Sequence, residues 1–242
     1  MATMRTYDDG CAAAHALDLV GERWALLVVR ELLLGPKRFT DLRVGLPGAS
    51  PNVLAQRLRE LERAGVVRRR KLPPPAASQV YELTEWGIEL EPVITQLGRW
   101  GAHSPSRPRD AGLGVDSLIL SFRAMFDPRA ADGLKASYEL RLGEDRFRAV
   151  VADGSFEIVR GVADRPDATI ETDAGTLATL VYEGHDLAQA LRSGDVKIEG
   201  DESAVARFHS LFSLSKPAAT AVGAVGEARL ADRRPPESSQ RR

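Results

Sequence analysis

The stretch from Ser50 to Lys71, SPNVLAQRLRELERAGVVRRRK, restricts the possible folds of this chain more than any other. At helical period Leu54, Leu58 and Leu61 share one face, while Asn52, Gln56, Arg59 and Arg63 form a narrow stripe opposite. The spacing predicts a short helix with a buried back and a polar, cationic front. Ser50 suits the N-cap, Pro51 the first helical position and Gly65 the stop. Four cations in succession, Arg68 to Lys71, follow at once.

The charge balance says where such a front is needed. The whole chain of 242 residues carries a net charge of only -1, but this averages two unlike parts. Residues 1–103 hold 14 Lys/Arg against 12 Asp/Glu, whereas residues 112–216 hold 12 against 18. The window 37–71 is extreme, with ten cations against Asp41, Glu60 and Glu62. A patch so concentrated on a balanced chain implies a polyanionic partner for that patch alone.

The flanks give the helix its setting. Cys11 to Val20 and Arg23 to Leu34 read as two helices, the second ended by Gly35-Pro36. Phe39 to Val44 allows one short helix and GLPGASP a turn, so the order is short helix, turn, amphipathic helix. That is the order of a helix-turn-helix, which sets the Ser50 helix into the major groove of DNA. VVRRRKL and QVYEL read as the strands of a β-hairpin wing with the proline-rich tip PPPAAS.

The expected double-stranded DNA surface follows. Asn52, Gln56 and Arg59 suit base edges, since amides pair bidentately with adenine and Arg with guanine, each worth about 1–3 kcal/mol of discrimination. Arg63, further from the helix start, suits a phosphate. Ser50, Pro51, Arg57, Arg68, Arg69, Arg70 and Lys71 complete the surface, with Arg38 and Thr40 at the start of the short helix. The plain alternative is a solvated charge run.

From Thr84, a candidate cap, Trp86, Leu90, Val93, Leu97 and Trp100 recur at spacings 4, 3, 4, 3, the seam of a helix that packs on another helix. Pro92 inside this run predicts a kink. The seam faces either the chain's own core or a second copy. HSPSRPRDAGLG then reads as a linker. Beyond it come an amphipathic helix (Val115 to Phe126), three strands (SYELRL, RFRAVVADG, SFEIVRG) joined by hairpin-like turns, a further strand ATIETD, two short helices, a strand VKIEG and a last helix. The chain is therefore expected to be α+β: a mostly helical unit with a β-hairpin wing over residues 1–103, a linker 104–112, an α+β unit with an antiparallel sheet over 113–216, and a disordered tail 217–242.

Residues 11–101 resemble the HxlR-type winged helix-turn-helix regulators, a branch of the MarR-like group. The resemblance lies in Cys11, in ALDLVGERWALLVVRELLLGPKRFTDL from Ala16, in LPGASPNVLAQRLRELERAGVV from Leu46, and in YELTEWGIELEPVITQLGRWG from Tyr81. It implies a dimeric transcriptional regulator reading a pseudo-palindromic operator, and it tips the Trp86 to Trp100 seam toward homodimerisation. Some members sense redox state through a cysteine in this region, although proline commonly follows that cysteine and here Ala12 does. Cys11 is otherwise a small apolar residue.

Residues 113–215 resemble a sterol-carrier-protein-2-type domain, on ADRPDATIETDAGTLATLVYEGHDLAQALRSGDVKIEGDESAVARFHSLF from Ala163 to Phe212. Relatives of that kind hold lipids or other hydrophobic molecules between sheet and helices. The large helical residues Phe122, Phe126, Leu180, Phe208 and Phe212 are the expected cavity wall.

Other classes of protein find little support. One cysteine excludes an intramolecular disulfide, and the first ten residues lack a signal-peptide pattern. The longest apolar run, WALLVVRELLLG, is too short to cross a bilayer. His15, His103, His185 and His209 are scattered, with no partner at metal-ligand spacing. Glu171 and Asp173 read as a strand end and a helix cap, not a catalytic pair. The expectation is a cytoplasmic, non-enzymatic regulator without cofactor, metal or membrane insertion, controlled by a hydrophobic effector. The alternative is a lipid carrier in which the winged helix serves only for dimer or partner binding.

Overall fold

The computed structural model describes residues 6–108 and 111–212. The expected tail 217–242, and two residues of the expected linker, lie outside the described residues.

Three helices come first: α1 (Ala12–Val20), α2 (Ala25–Leu32) and α3 (Phe39–Gly45). The opening stretch is α4 (Pro51–Arg63), with local chemistry as its sequence requires. Ser50 Oγ accepts from the Val53 N–H at 3.4 Å and Pro51 occupies the first turn. Gly65 ends it at φ +75°, and the Val66 N–H donates back to the Leu61 carbonyl at 2.9 Å. This is the left-handed C-terminal closure that favours glycine. Leu54, Leu58 and Leu61 are buried with Val28, Val29, Leu32, Leu42 and Leu46 in one hydrophobic cluster. Burying each such side chain contributes about 1.5–3 kcal/mol.

The wing is an antiparallel pair, β1 (Val67–Lys71) and β2 (Gln79–Leu83), with Arg68 opposite Glu82 and Arg69 opposite Tyr81. Thr84 then anchors the return: its Oγ1 accepts from the Gly87 N–H at 3.0 Å and donates to the Gly65 carbonyl at 2.7 Å. Gly87 sits against the Val66 carbonyl, where a β-carbon would collide with backbone.

The expected single helix kinked by Pro92 is instead two helices, α5 (Glu85–Ile88) and α6 (Glu91–Ala102). Proline inside a helix removes one backbone bond and clashes one turn back, so the chain breaks at Glu89-Leu90 and restarts with Pro92 in the first turn of α6.

The second hydrophobic cluster is built on α7 (Val115–Met125), α8 (Ala174–Glu183), α9 (Leu187–Ser193) and α10 (Glu202–Ser210), with a five-stranded sheet. Its strands are β3 (Ala136–Leu142), β4 (Asp145–Ala152), β5 (Ser155–Arg160), β6 (Ala168–Thr172) and β7 (Lys197–Gly200), in the order β5-β4-β3-β6-β7. The sheet is mixed rather than wholly antiparallel, because β3 and β6 run parallel. Residues 161–167 are too long for a hairpin turn; they carry the chain from β5 past β4 to the far side of β3. The Ala163 N–H on this crossing donates to the buried Glu139 carboxylate at 3.0 Å.

Residues 104–112 do not hold the two clusters apart. Helix α7 packs against α6 and α2, and Leu34, just after α2, belongs to the second cluster. Arg123 of α7 donates to Glu91 of α6 at 2.6 Å, and Arg99 of α6 donates to the Ala124 carbonyl.

Candidate nucleic-acid interface

Helix α4 presents Asn52, Arg59 and Arg63 to solvent, all three exposed, as the helical period requires. Arg63 Nε donates to the Arg59 carbonyl at 3.3 Å, which holds its stem along the helix. Gln56 is half-buried and donates to Glu60 at 2.9 Å. Ser50 and Pro51 serve as the cap and first turn.

Arg57 departs from expectation. Its side chain is 11% exposed and is paired with Glu60 one turn on, and with Glu22 at 3.6 Å, between α1 and α2. It points toward the protein, since it stands two positions before Arg59 and a helix turns by about 200° over that interval.

The wing cations are placed as predicted but are not free. Arg68 and Arg70, on one side of β1, both reach Glu82 on β2, at 2.8 and 2.7 Å. Arg69, on the other side, makes a bidentate pair with Glu62 at the end of α4 and lies over the Tyr81 ring, 5.8 Å from its centroid. Burial pushes the Glu82 carboxyl up in pKa, but the Arg70 and Arg68 guanidiniums outweigh it and hold the group below its usual range. The Arg69 hydrogen bond likewise holds Glu62 down. Only Lys71 at the end of the strand makes no ion pair among the described residues.

The two glutamates are the residues that sequence reasoning missed. The signal was present: cross-strand partners face each other and alternate strand residues share a side, so the register puts Glu82 beneath Arg68 and Arg70.

Arg38 and Thr40 are exposed at the start of α3, and Arg38 Nε donates to Ser78 Oγ near the wing tip at 3.1 Å. Lys37, counted in the cationic window, belongs elsewhere. It faces Glu31 at 2.6 Å and Asp116 at 2.5 Å.

The seam residues form an exposed apolar strip. Trp86 is 50% exposed, Val93 52%, Leu97 48% and Trp100 76%, while Leu90 is half-buried against the first cluster. A cleft of about 220 Å³ lies between Leu19 and Val20 of α1 and Trp86 and Leu90.

Cys11 is exposed at the start of α1, where the Ala14 and Ala13 N–H groups hold its thiol below the ordinary value.

Of the five expected cavity residues, Phe122, Phe208 and Phe212 are packed against one another. Phe122 stacks on Phe212 with centroids 4.6 Å apart and meets Phe208 edge-on at 5.6 Å. Phe208 contacts Tyr138 and Phe212, and Leu180 is buried in the same cluster. Phe126 instead borders an open cleft of about 480 Å³ between α6 and β5. Among the described residues, no group of three or more His, Cys, Asp or Glu side chains is placed to hold a metal ion. No helix among them is long and apolar enough to cross a membrane.

Residues 12–102 thus define a winged helix-turn-helix, with a polar-faced second helix and a basic two-stranded wing. Residues 19–108 match the HxlR-like helix-turn-helix family model. The HTH-type transcriptional regulator YvaP of Bacillus subtilis is 39% identical over 85 residues, which span 35% of this chain and 79% of that protein. The chain belongs to the HxlR-like helix-turn-helix family. The reduced form of the transcriptional regulator YodB from B. subtilis superimposes with a TM-score of 0.36 at 35% identity, covering 40% of this chain and 95% of that one.

Residues 113–220 match the alkyl sulfatase C-terminal model. A double mutant of the sec-alkyl sulfatase PisA1 superimposes with a TM-score of 0.39 at 21% identity, covering 43% of this chain and 17% of that one.

Proposed function

We propose that the chain is a cytoplasmic, homodimeric, DNA-binding transcriptional regulator whose C-terminal unit senses a hydrophobic small molecule. The observation that carries the DNA reading is the two-sidedness of α4: three leucines are buried behind it, while Asn52, Arg59 and Arg63 stand exposed in front. Arg38, Lys71 and the wing arginines flank this front with further charge, which suits the phosphates on either side of a groove.

The paired glutamates refine this picture. Arg68, Arg69 and Arg70 are pre-positioned by Glu82 and Glu62 and trade a carboxylate for a phosphate on binding. Such an exchange limits non-specific attraction to DNA and leaves more of the affinity to groove contacts.

The exposed Trp86, Val93, Leu97 and Trp100 support a second copy as partner, because exposed apolar side chains gathered on one strip mark an interface. Two-fold symmetry would set the two α4 helices about 34 Å apart on a pseudo-palindromic operator. Effector control requires a ligand that favours one of two dimer geometries, since equal affinity for both shifts nothing. The sterol-carrier-type resemblance of residues 113–215 supports a hydrophobic effector, and the packing of α7 on α6 gives it a direct route to the proposed dimer helix.

The test is a mobility-shift titration of Arg59→Ala and Arg69→Ala on a duplex from the adjacent promoter. Weaker binding by both is expected, and unchanged affinity in both would remove the basis for this assignment.

A further inference from the structure

The space between the sheet and the helices, where an effector is expected, is closed by the packed rings of Phe122, Phe208 and Phe212. The cleft between α6 and β5 is open instead, and its 480 Å³ lie within the ~300–1,000 Å³ range of small-molecule sites. One wall is aromatic: Phe126 and Phe156 stack with centroids 5.4 Å apart at an interplanar angle of 23°, and both are half-buried. The opposite wall is the first turns of α6, with Pro92, Thr95 and Gln96.

The charges at the cleft cancel. Arg123 donates to Glu91 Oε1 at 2.6 Å with one terminal nitrogen and to the Ile158 carbonyl at 2.5 Å with the other. Glu157 alternates with Phe156 and Ile158 along β5 and stands opposite the exposed Val150, so its carboxylate belongs to the outer face of the sheet. A charged ligand would therefore lose hydration here without gaining a counter-charge, unless it broke the Glu91–Arg123 pair. Two neutral polar groups remain. The half-buried Thr95 hydroxyl and the exposed Gln96 amide make no side-chain hydrogen bond among the described residues.

We propose that this cleft is the effector site and that it takes an uncharged aromatic molecule bearing a hydroxyl or carbonyl group, its ring on Phe126 and Phe156 and its oxygen on Thr95. Stacked and edge-to-face ring pairs gain attraction beyond that of the buried area. This rests on the reading of the C-terminal unit as a sensor, and supplies the site, the ligand class and the coupling. Glu91 and Thr95 lie on one side of α6, Val93, Leu97 and Trp100 on another, and Gln96 falls between the two. An occupant of the cleft thus touches both α6 and β5, and so acts on the helix that carries the proposed dimer strip.

The experiment is equilibrium dialysis of the full chain at neutral pH against 2-naphthol, its anionic analogue 2-naphthoate, its cationic analogue 2-naphthylmethylammonium, and 1-decanol, an uncharged chain without a ring. The naphthol is expected to bind about one per chain and at least tenfold more tightly than either charged analogue. Thr95→Val, which removes the hydroxyl and keeps the shape, should weaken it roughly fivefold. Thr95→Trp, which fills the cleft, should abolish it, and both variants should keep the cooperative melting transition of the parent. Tighter binding of a charged analogue or of decanol would overturn the ligand class. Naphthol binding indifferent to both substitutions would overturn the site and leave the sensor reading standing, whereas binding of none of the four compounds would overturn the sensor reading as well.

Discussion

Lys37 Nζ lies 2.5 Å from Asp116 Oδ2, and this contact joins the two hydrophobic clusters through a buried chain of charges. Asp116 also accepts from Arg160 at 2.5 Å, and Lys37 also reaches Glu31, whose second partner is Arg30 at 2.9 Å. The backbone of Lys37 exchanges hydrogen bonds with Tyr81 of β2 at 3.0 and 2.8 Å. One residue therefore connects the wing to α7.

Lys37→Met should cost about 3 kcal/mol in denaturant unfolding, the low end for breaking a buried pair, because each carboxylate keeps an arginine. Hydrogen exchange at the Tyr81 amide should accelerate with it. The pH dependence has a definite sign. Burial lowers the Lys37 pKa, but Glu31 and Asp116 more than offset this and raise it above the ordinary 10.5. Its contribution is thus complete below about pH 10.5 and is lost as pH rises through the raised value. Any Lys37-dependent stability difference at neutral pH should persist to pH 9 and shrink only in strong alkali.

Arg57 and Arg59 stand two positions apart and should behave oppositely. Arg59→Ala is expected to weaken operator binding by about 1–3 kcal/mol without altering the melting curve. Arg57→Ala should leave operator affinity within twofold and lower stability by about 1 kcal/mol, since its pairs with Glu60 and Glu22 are lost. Parallel anisotropy and thermal melts of both variants separate the two effects.

Removing a wing carboxylate should tighten DNA binding and leave its salt slope unchanged. Glu82→Gln frees Arg68 and Arg70 before DNA arrives, so no ion pair has to be given up, while the phosphates they meet, each worth about 0.9 in the slope of log K against log salt, stay the same in number. A slope steeper than that of the parent would show that the two arginines keep Glu82 in the parent complex.

Trp100→Glu or Leu97→Glu places a charge on the exposed strip of α6, far from α4 in the chain. Sedimentation should show a dimer for the parent and a monomer for either variant, with operator binding lost in step.

Much of this was legible beforehand because local chemistry and tertiary context agreed. The α4 boundaries followed from Ser50, Pro51 and Gly65, and its buried face from three leucines. Sequence reasoning went astray where a distant partner decided the outcome. Arg57 looked like its neighbours until Glu22 was folded beside it. The parallel pairing of β3 and β6 depends on a crossing that has no turn signature, and Pro92 marked a restart where periodicity alone implied continuity. Phe122, Phe208 and Phe212 show the same limit: helical spacing says that a face is apolar, while mutual ring packing determines whether it is wall or core.

Sequence-specific DNA binding by α4 is tested most directly by fluorescence anisotropy of the full chain on a promoter duplex and on its scrambled counterpart at physiological salt. The account predicts two chains per duplex and at least about 10³-fold tighter binding to the promoter sequence. Equal affinity for both duplexes, with a steep salt slope, would contradict it and favour a carrier whose winged helix serves another purpose.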